Sequence, residues 1–370
     1  MAKEKKEKKQ KRVRVKKQRT LWGNIKHYTL ILLIACVCGF FLFRWGGMLI
    51  HKLPPIGGIN KSMYVTINGR EQWINIYGKD KDNPVLLYLH GGPGQATSTF
   101  DYEVLRKLSD VYTVVTWDNI CCGKSASEES QFATITKESI MADGKEMTLF
   151  LMDYLDKDKI SILGHSFGSI YGANLVLDYP EYYDTFIATA MMPDPYENEV
   201  KFIECAKEWS KGDAKYTKMA ESLNVDNISV AYINAREKLL EAYHYDYMAD
   251  GFGFNEKLVM LTNPYYSLND LIGSSTNIPG PWFNFILSED FKDMTVKART
   301  NYEVGYYNIN GTRDYQVNHD LAEEYFNEVT APSKKLYMVN STHYTLFAKP
   351  DDFSTYVHEI AEIENARLGR

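Results

Sequence analysis

Ser166 stands between glycines in the run Gly164-His165-Ser166-Phe167-Gly168. The apolar stretch Lys159–Leu163 before it reads as a buried strand, and Gly168–Tyr179 after it reads as a helix stopped by Pro180. A serine on so tight a strand-to-helix turn has its oxygen pushed clear of the backbone. The flanking glycines leave room for close approach, and the amino end of the new helix favours negative charge. That is a setting for a nucleophile in acyl transfer. The five-residue pattern is common by chance, so its weight comes from the strand before it and the helix after it.

A serine hydroxyl is a weak nucleophile at neutral pH and needs a base that a third group holds in one tautomer. Two downstream loops supply those groups. Asn310-Gly311-Thr312-Arg313-Asp314 follows a strand pattern at Glu303–Ile309 and carries Asp314. Ser341-Thr342-His343-Tyr344 follows the last strand pattern, Lys335–Val339, and carries His343. Taken singly, a loop aspartate is most often a turn former, and a loop histidine is more often a packing or solvated residue. The order serine, aspartate, histidine, each just past a parallel strand, points to a triad of Ser166, Asp314 and His343. Upstream, His90-Gly91-Gly92-Pro93-Gly94 follows the strand Pro84–Leu89. Its bland reading is a Gly/Pro turn. Its functional reading pairs the amide of Gly92 with that of Phe167 as donors to a developing oxyanion, where a side chain at position 92 would obstruct the substrate.

The elements that must hold these groups follow from pattern. Met63–Ile67 and Glu71–Tyr77 read as a hairpin turning at Asn68-Gly69. Tyr112–Trp117 and Asp184–Met191 read as further buried strands, and Ser139–Leu155 has helical periodicity. Strands alternating with helices imply a mostly parallel sheet with helices on both faces, an α/β class. Alternation breaks between Met192 and Arg299, where helical pieces such as Ala231–Tyr243 occur without buried strands. Residues 193–299 are therefore expected to form an inserted, mainly helical cap on a core made of 63–192 and 300–370. Alternation resumes with helices at Asp320–Val329 and Asp351–Ala366.

The amino terminus has another character. Residues 1–27 hold 12 of the 42 Lys and Arg and only two of the 48 Asp and Glu, so the remainder of the chain is strongly acidic. Basic charge confined to a tail, with an apolar run directly after it, argues against nucleic-acid binding and for a membrane topology signal. Residues 28–50 supply the roughly 20 residues a spanning helix needs, with Arg44 reaching the headgroups and Trp22, Tyr28 and Trp45 near the interfaces. The expectation is one transmembrane helix, a cytoplasmic tail 1–27, a linker 51–62 and an extracytoplasmic folded domain. Leu33-Ile34-Ala35-Cys36 also resembles a lipoprotein cleavage site, although apolar residues continue past Cys36. Cys121 and Cys122 are either two loop thiols or a vicinal disulfide. Neither a metal site nor a disulfide framework is indicated by the five cysteines, and no cofactor is implied.

His90–Gly94 together with Gly164–Gly168 resembles the proline iminopeptidase group of α/β-hydrolases, serine peptidases that remove an amino-terminal residue. The likeness covers about residues 60–192 and 300–360, and Trp117-Asp118 with Gly123-Lys124-Ser125 adds to it. It implies an α/β-hydrolase fold and the roles already named for Ser166, Asp314, His343, Gly92 and Phe167. It also implies a peptide or aminoacyl substrate with a free amine. The chain departs from the family at Asn119-Ile120-Cys121-Cys122 and at Tyr315-Gln316-Val317-Asn318. It also departs in the cap, where the family's amine-binding tryptophan–glutamate motif has no match. Glu204, Glu208 and Glu241 are available there, but a helical glutamate is most often a solvated side chain. An esterase or lipase acting on acyl esters, and a non-catalytic ligand sensor on the same scaffold, are the alternatives.

Overall fold

The computed structural model describes residues 20–273 and 278–370, so most of the basic tail lies outside the described residues. The chain divides into two compact units, Met1–Gly47 and Met48–Arg370. A 32-residue helix, Leu21–Lys52, makes up the described part of the first unit and opens the second. Its length and composition suffice to cross a membrane, a test that a signal sequence near an amino terminus also passes. It is longer at both ends than residues 28–50. The connection expected over 51–62 shrinks to 53–58, because the helix runs to Lys52 and the first strand begins at Ile59.

The second unit is built on an eight-stranded sheet: β1 (Ile59–Ile67), β2 (Arg70–Gly78), β3 (Val85–Leu89), β4 (Thr113–Asp118), β5 (Ile160–His165), β6 (Tyr183–Thr189), β7 (Gly305–Gly311) and β8 (Lys334–Val339). Their spatial order is β1-β2-β4-β3-β5-β6-β7-β8. β1 and β2 form the antiparallel hairpin, turning on Asn68 and Gly69, both at positive φ as a two-residue turn of this hand requires. β2 is antiparallel to β4, and every later pairing is parallel. Every residue of β3 to β7 is buried, and β3, Val85–Leu89, accordingly reads as a continuous apolar run.

Helices cover both faces. On one, Met147 and Leu151 of the helix Lys137–Leu155 pack with Ile170 and Leu175 of the helix Phe167–Asp178. On the other, Val104 and Leu105 pack with Phe353, Val357 and Ile360 of the helix Pro350–Leu368. Between β6 and β7 the described residues form helices and no strand. The longest are Pro195–Trp209 and Val230–Tyr243, started by side-chain caps at Asp194 and Ser229. This insertion has an apolar cluster of its own around Phe202, Leu239 and Leu240.

Element edges differ from the sequence expectation for local reasons. β6 stops at Thr189 rather than Met191, since Ala190 takes φ +51 and turns the chain away. β7 lies two residues later than its apolar pattern suggests, so Asn310 and Gly311 are strand and the loop begins at Thr312. β1 starts four residues early because its first residues are a partly exposed edge with little hydrophobic signal.

Candidate active site

The turn after β5 is tight enough to exclude side chains at two positions. A Cβ on Gly164 would lie 2.3 Å from the carbonyl oxygen of Gly168, and one on Gly168 would lie 2.0 Å from that of Leu89. The helix can therefore start directly at Phe167 and lie against β3. The cost falls on Ser166, held at φ +55 and ψ −122, a conformation that a non-glycine residue keeps only where its surroundings impose it. The Ser166 amide donates to the carbonyl of Thr189 at 3.0 Å, which ties the turn to β6.

The structure brings Ser166, Asp314 and His343 together. His343 Nε2 is 3.0 Å from Ser166 Oγ, and His343 Nδ1 is 2.9 Å from Asp314 Oδ2. All three are buried. A carboxylate can only accept, so the ring proton belongs on Nδ1, and Nε2 is left to accept from the serine hydroxyl. The other oxygen, Asp314 Oδ1, accepts from the backbone amides of Gln316 and Val317 at 3.0 and 2.9 Å. The main chain of His343 is also held at both ends: its amide donates to the carbonyl of Tyr247 at 3.2 Å, and its carbonyl lies 3.2 Å from His165 Nε2.

Gly92 and Phe167 both border this point. A Cβ on neighbouring Gly91 would come within 3.0 Å of Ser166 Cβ, so the loop lies directly against the serine. Gly92 sits at φ +117, where a Cβ would press on the amides of Gly94 and Gln95 at 2.8 Å. Phe167 opens a helix, and a first-turn amide has no acceptor within its own helix.

Residues 84–220 match a family described as alpha/beta hydrolase fold. The probable aminopeptidase YbaC of Bacillus subtilis is 23% identical over 305 residues, which is 78% of this chain and 92% of that protein. A proline iminopeptidase of Lactobacillus crispatus is 33% identical over 113 residues, covering 30% of this chain and only 36% of its own length. Among solved structures, the proline iminopeptidase of Mycobacterium smegmatis superposes with a TM-score of 0.59 at 16% identity, over 83% of this chain and 100% of that one. The chain has the α/β-hydrolase fold. Among proteins of that fold, this one resembles the proline iminopeptidase group.

Ser166 and His343 open into a cavity of about 510 Å³ in this α/β-hydrolase, whose far wall comes from the helical insertion. Four carboxylates (Glu199, Asp226, Glu237, Glu289) and two cations (Arg236, Lys292) are among its lining residues. Lys292 pairs with Glu289 at 2.8 Å. Arg236 Nε pairs with Glu199 at 2.9 Å, and its two remaining nitrogens donate to the side-chain and main-chain oxygens of Gln316. Tyr232 Oη also donates to Glu199. Glu204, Glu208 and Glu241 are exposed, and none of them lines the cavity. Of the glutamates that do line it, Glu199 lies one helical turn before the buried Phe202 and Ile203, a spacing that could have marked it.

Two buried histidines flank the site and are neutral. Burial pushes His90 down to about 4 against a backbone bond to Gly91, and burial with the adjacent His343 pushes His165 well below the usual histidine range. Cys121 and Cys122 are free thiols, donating to the carbonyls of Ser130 and Asn119. Burial raises both thiols, so neither supplies a thiolate. The described residues contain no group of three or more His, Cys, Asp or Glu placed to hold a metal ion. Trp282, unremarked in the sequence, is fully buried. Its indole N–H donates to the carbonyl of Ile120 at 2.7 Å, its ring lies 5.7 Å from that of Phe167, and it fills the space where a Gly94 Cβ would be.

Proposed function

We propose that this chain is a membrane-anchored serine hydrolase of the aminopeptidase type, cleaving an amino-terminal residue through an acyl-enzyme on Ser166. The observation that carries this reading is the hydrogen-bonded series Asp314, His343, Ser166 at the floor of a cavity richer in carboxylates than in cations. Ser166 Oγ attacks the carbonyl carbon while His343 Nε2 takes its proton. The oxyanion forms against the amides of Gly92 and Phe167. Collapse expels the amine, which leaves with the proton from His343. Water then enters and attacks the acyl carbon while losing a proton to His343, which returns that proton to Ser166 Oγ as the acid leaves. The net negative lining favours a protonated amine on the substrate, which an acyl ester lacks. The names of the aminopeptidase and iminopeptidase relatives agree with that preference.

In this reading residues 193–299 act as a cap over the core formed by 63–192 and 300–370. The helix anchors the protein, and the basic tail 1–27 stays in the cytoplasm with the catalytic domain on the other side. The test uses full-length protein in detergent on prolyl and alanyl amides, on the same amides with the amine acetylated, and on short acyl esters. The reading predicts turnover of the free-amine substrates and strong loss on acetylation. Preference for acetylated amides and esters would make the protein an esterase, and binding without turnover would make it a sensor.

A further inference from the structure

The segment His244–Phe254 joins the helices Val230–Tyr243 and Glu256–Thr262 and has neither helix nor strand of its own. It nonetheless makes regular contact with the loop that carries His343. The amide of His343 donates to the carbonyl of Tyr247 at 3.2 Å, that of Tyr344 donates to the carbonyl of Met248 at 2.8 Å, and that of Gly253 donates back to Phe347 at 2.9 Å. The histidine loop is irregular from Asn340 to Tyr344, so these bonds replace the ladder it lacks. Tyr247 and Met248 are also among the residues lining the cavity, with Ser166 and His343.

One side chain ties this segment to both triad loops. Arg313 Nη1 pairs with Asp246 at 2.9 Å, and Nη2 pairs with Asp250 at 2.6 Å. Its Nε reaches Asn340 Oδ1 at 3.3 Å, and its own amide donates to the carbonyl of Ser341 at 3.0 Å. Arg313 also directly precedes Asp314. The aspartate loop, the histidine loop and the strap from the insertion therefore meet at one guanidinium. Its planar fork can reach two carboxylates at once, which an ammonium does less well.

Resting on the triad assignment above, we infer that Arg313 is a positioning residue for His343. Through Asp246 and Asp250 it clamps the strap His244–Phe254, and the strap's carbonyls at Tyr247 and Met248 hold the base loop between Asp314 and Ser166. Neither Arg313 nor the two aspartates touches the reacting atoms. Their effect passes through the backbone of residues 247, 248, 343 and 344.

The test compares full-length wild type with Arg313→Met, Arg313→Lys and the double variant Asp246→Asn/Asp250→Asn. It measures kcat, KM and the rate of labelling by a fluorophosphonate probe, with Ser166→Ala as control. A misplacement of the base by a fraction of an ångström predicts a loss of about ten-fold in kcat and in labelling rate for Arg313→Met, with KM changed by less than about three-fold. Lysine at 313 restores part of that loss. The double aspartate variant reproduces it, and adding Arg313→Met to the double variant lowers kcat no further. Should Arg313→Met fail to fold, the double variant removes both ion pairs with Arg313 in place. Wild-type kcat in either variant, or equal loss with lysine and methionine, overturns the inference while leaving the triad standing. Undiminished labelling of Ser166→Ala overturns both.

Discussion

Asp314→Asn is the substitution whose outcome the geometry constrains most tightly. Asp314 Oδ1 accepts from the amides of Gln316 and Val317, so an asparagine must keep its oxygen there to avoid facing two donors with a third. Its NH2 group is then forced into the place of Oδ2, 2.9 Å from His343 Nδ1, where it donates. The imidazole must accept at Nδ1 and carry its proton on Nε2, which faces Ser166 Oγ at 3.0 Å. A protonated Nε2 cannot take the serine proton. Loss of the correct tautomer in a serine triad lowers kcat by about 10⁴-fold, or about 5.5 kcal/mol of transition-state stabilisation. The change is isosteric and both backbone donors remain satisfied, so the melting temperature should stay close to wild type. The assay is kcat on the best aminoacyl amide, with a thermal melt of each protein beside it. A well-folded variant within ten-fold of wild-type kcat would refute the argument that Asp314 sets the tautomer.

Three further outcomes follow from the same contacts. Trp282→Phe leaves the buried carbonyl of Ile120 without its donor, which costs about 1–3 kcal/mol. It also loosens the packing against Gly94 and Phe167, so kcat should fall more than KM rises, as read by a melt and steady-state kinetics. Glu199→Gln removes one carboxylate from the cavity and the partner of Arg236; KM for free-amine substrates should rise by about ten-fold, or about 1.4 kcal/mol. An equal rise for acyl esters would make Glu199 only a wall residue. Burial and the nearby Asp118 raise the Asp101 carboxyl to about 8, and burial raises Asp118 to about 6. The fold thus favours their protonated forms: the stability they contribute is full below the ordinary aspartate range and is lost as pH rises through about 6 and about 8. The melting temperature should therefore fall as pH rises from about 4 to about 8 and level off above that, and Asp101→Asn should flatten that fall.

The sheet and the neighbourhood of the triad are legible in the chain because they rest on local signals. Five strands buried on both faces leave short, largely uncharged runs rich in apolar and β-branched residues, and Asn68-Gly69 announces its hairpin. Ser166 and Asp314 follow two of these strands, His343 follows the partly exposed β8, and a parallel sheet gathers such positions at one end. The insertion is much less legible. Its helices are short and amphipathic, so an inward Glu199 and an outward Glu204 look alike until the helix is docked. The strap His244–Phe254 carries no periodicity at all, and its contacts with His343 run through backbone carbonyls that any sequence provides. Trp282 reads as an ordinary apolar residue, because its partners, Ile120, Gly94 and Phe167, lie more than a hundred residues away. Positive φ at Ala190 is likewise invisible to propensity, which is why β6 ends two residues sooner than its apolar run.

The central claim is that Ser166 is an activated nucleophile. Full-length protein is treated with a fluorophosphonate, digested, and the adduct located by mass spectrometry. The account predicts a single phosphonylated residue, Ser166, with the adduct absent after His343→Ala. No adduct on folded protein, or an adduct on another residue with Ser166 unmodified, would contradict it.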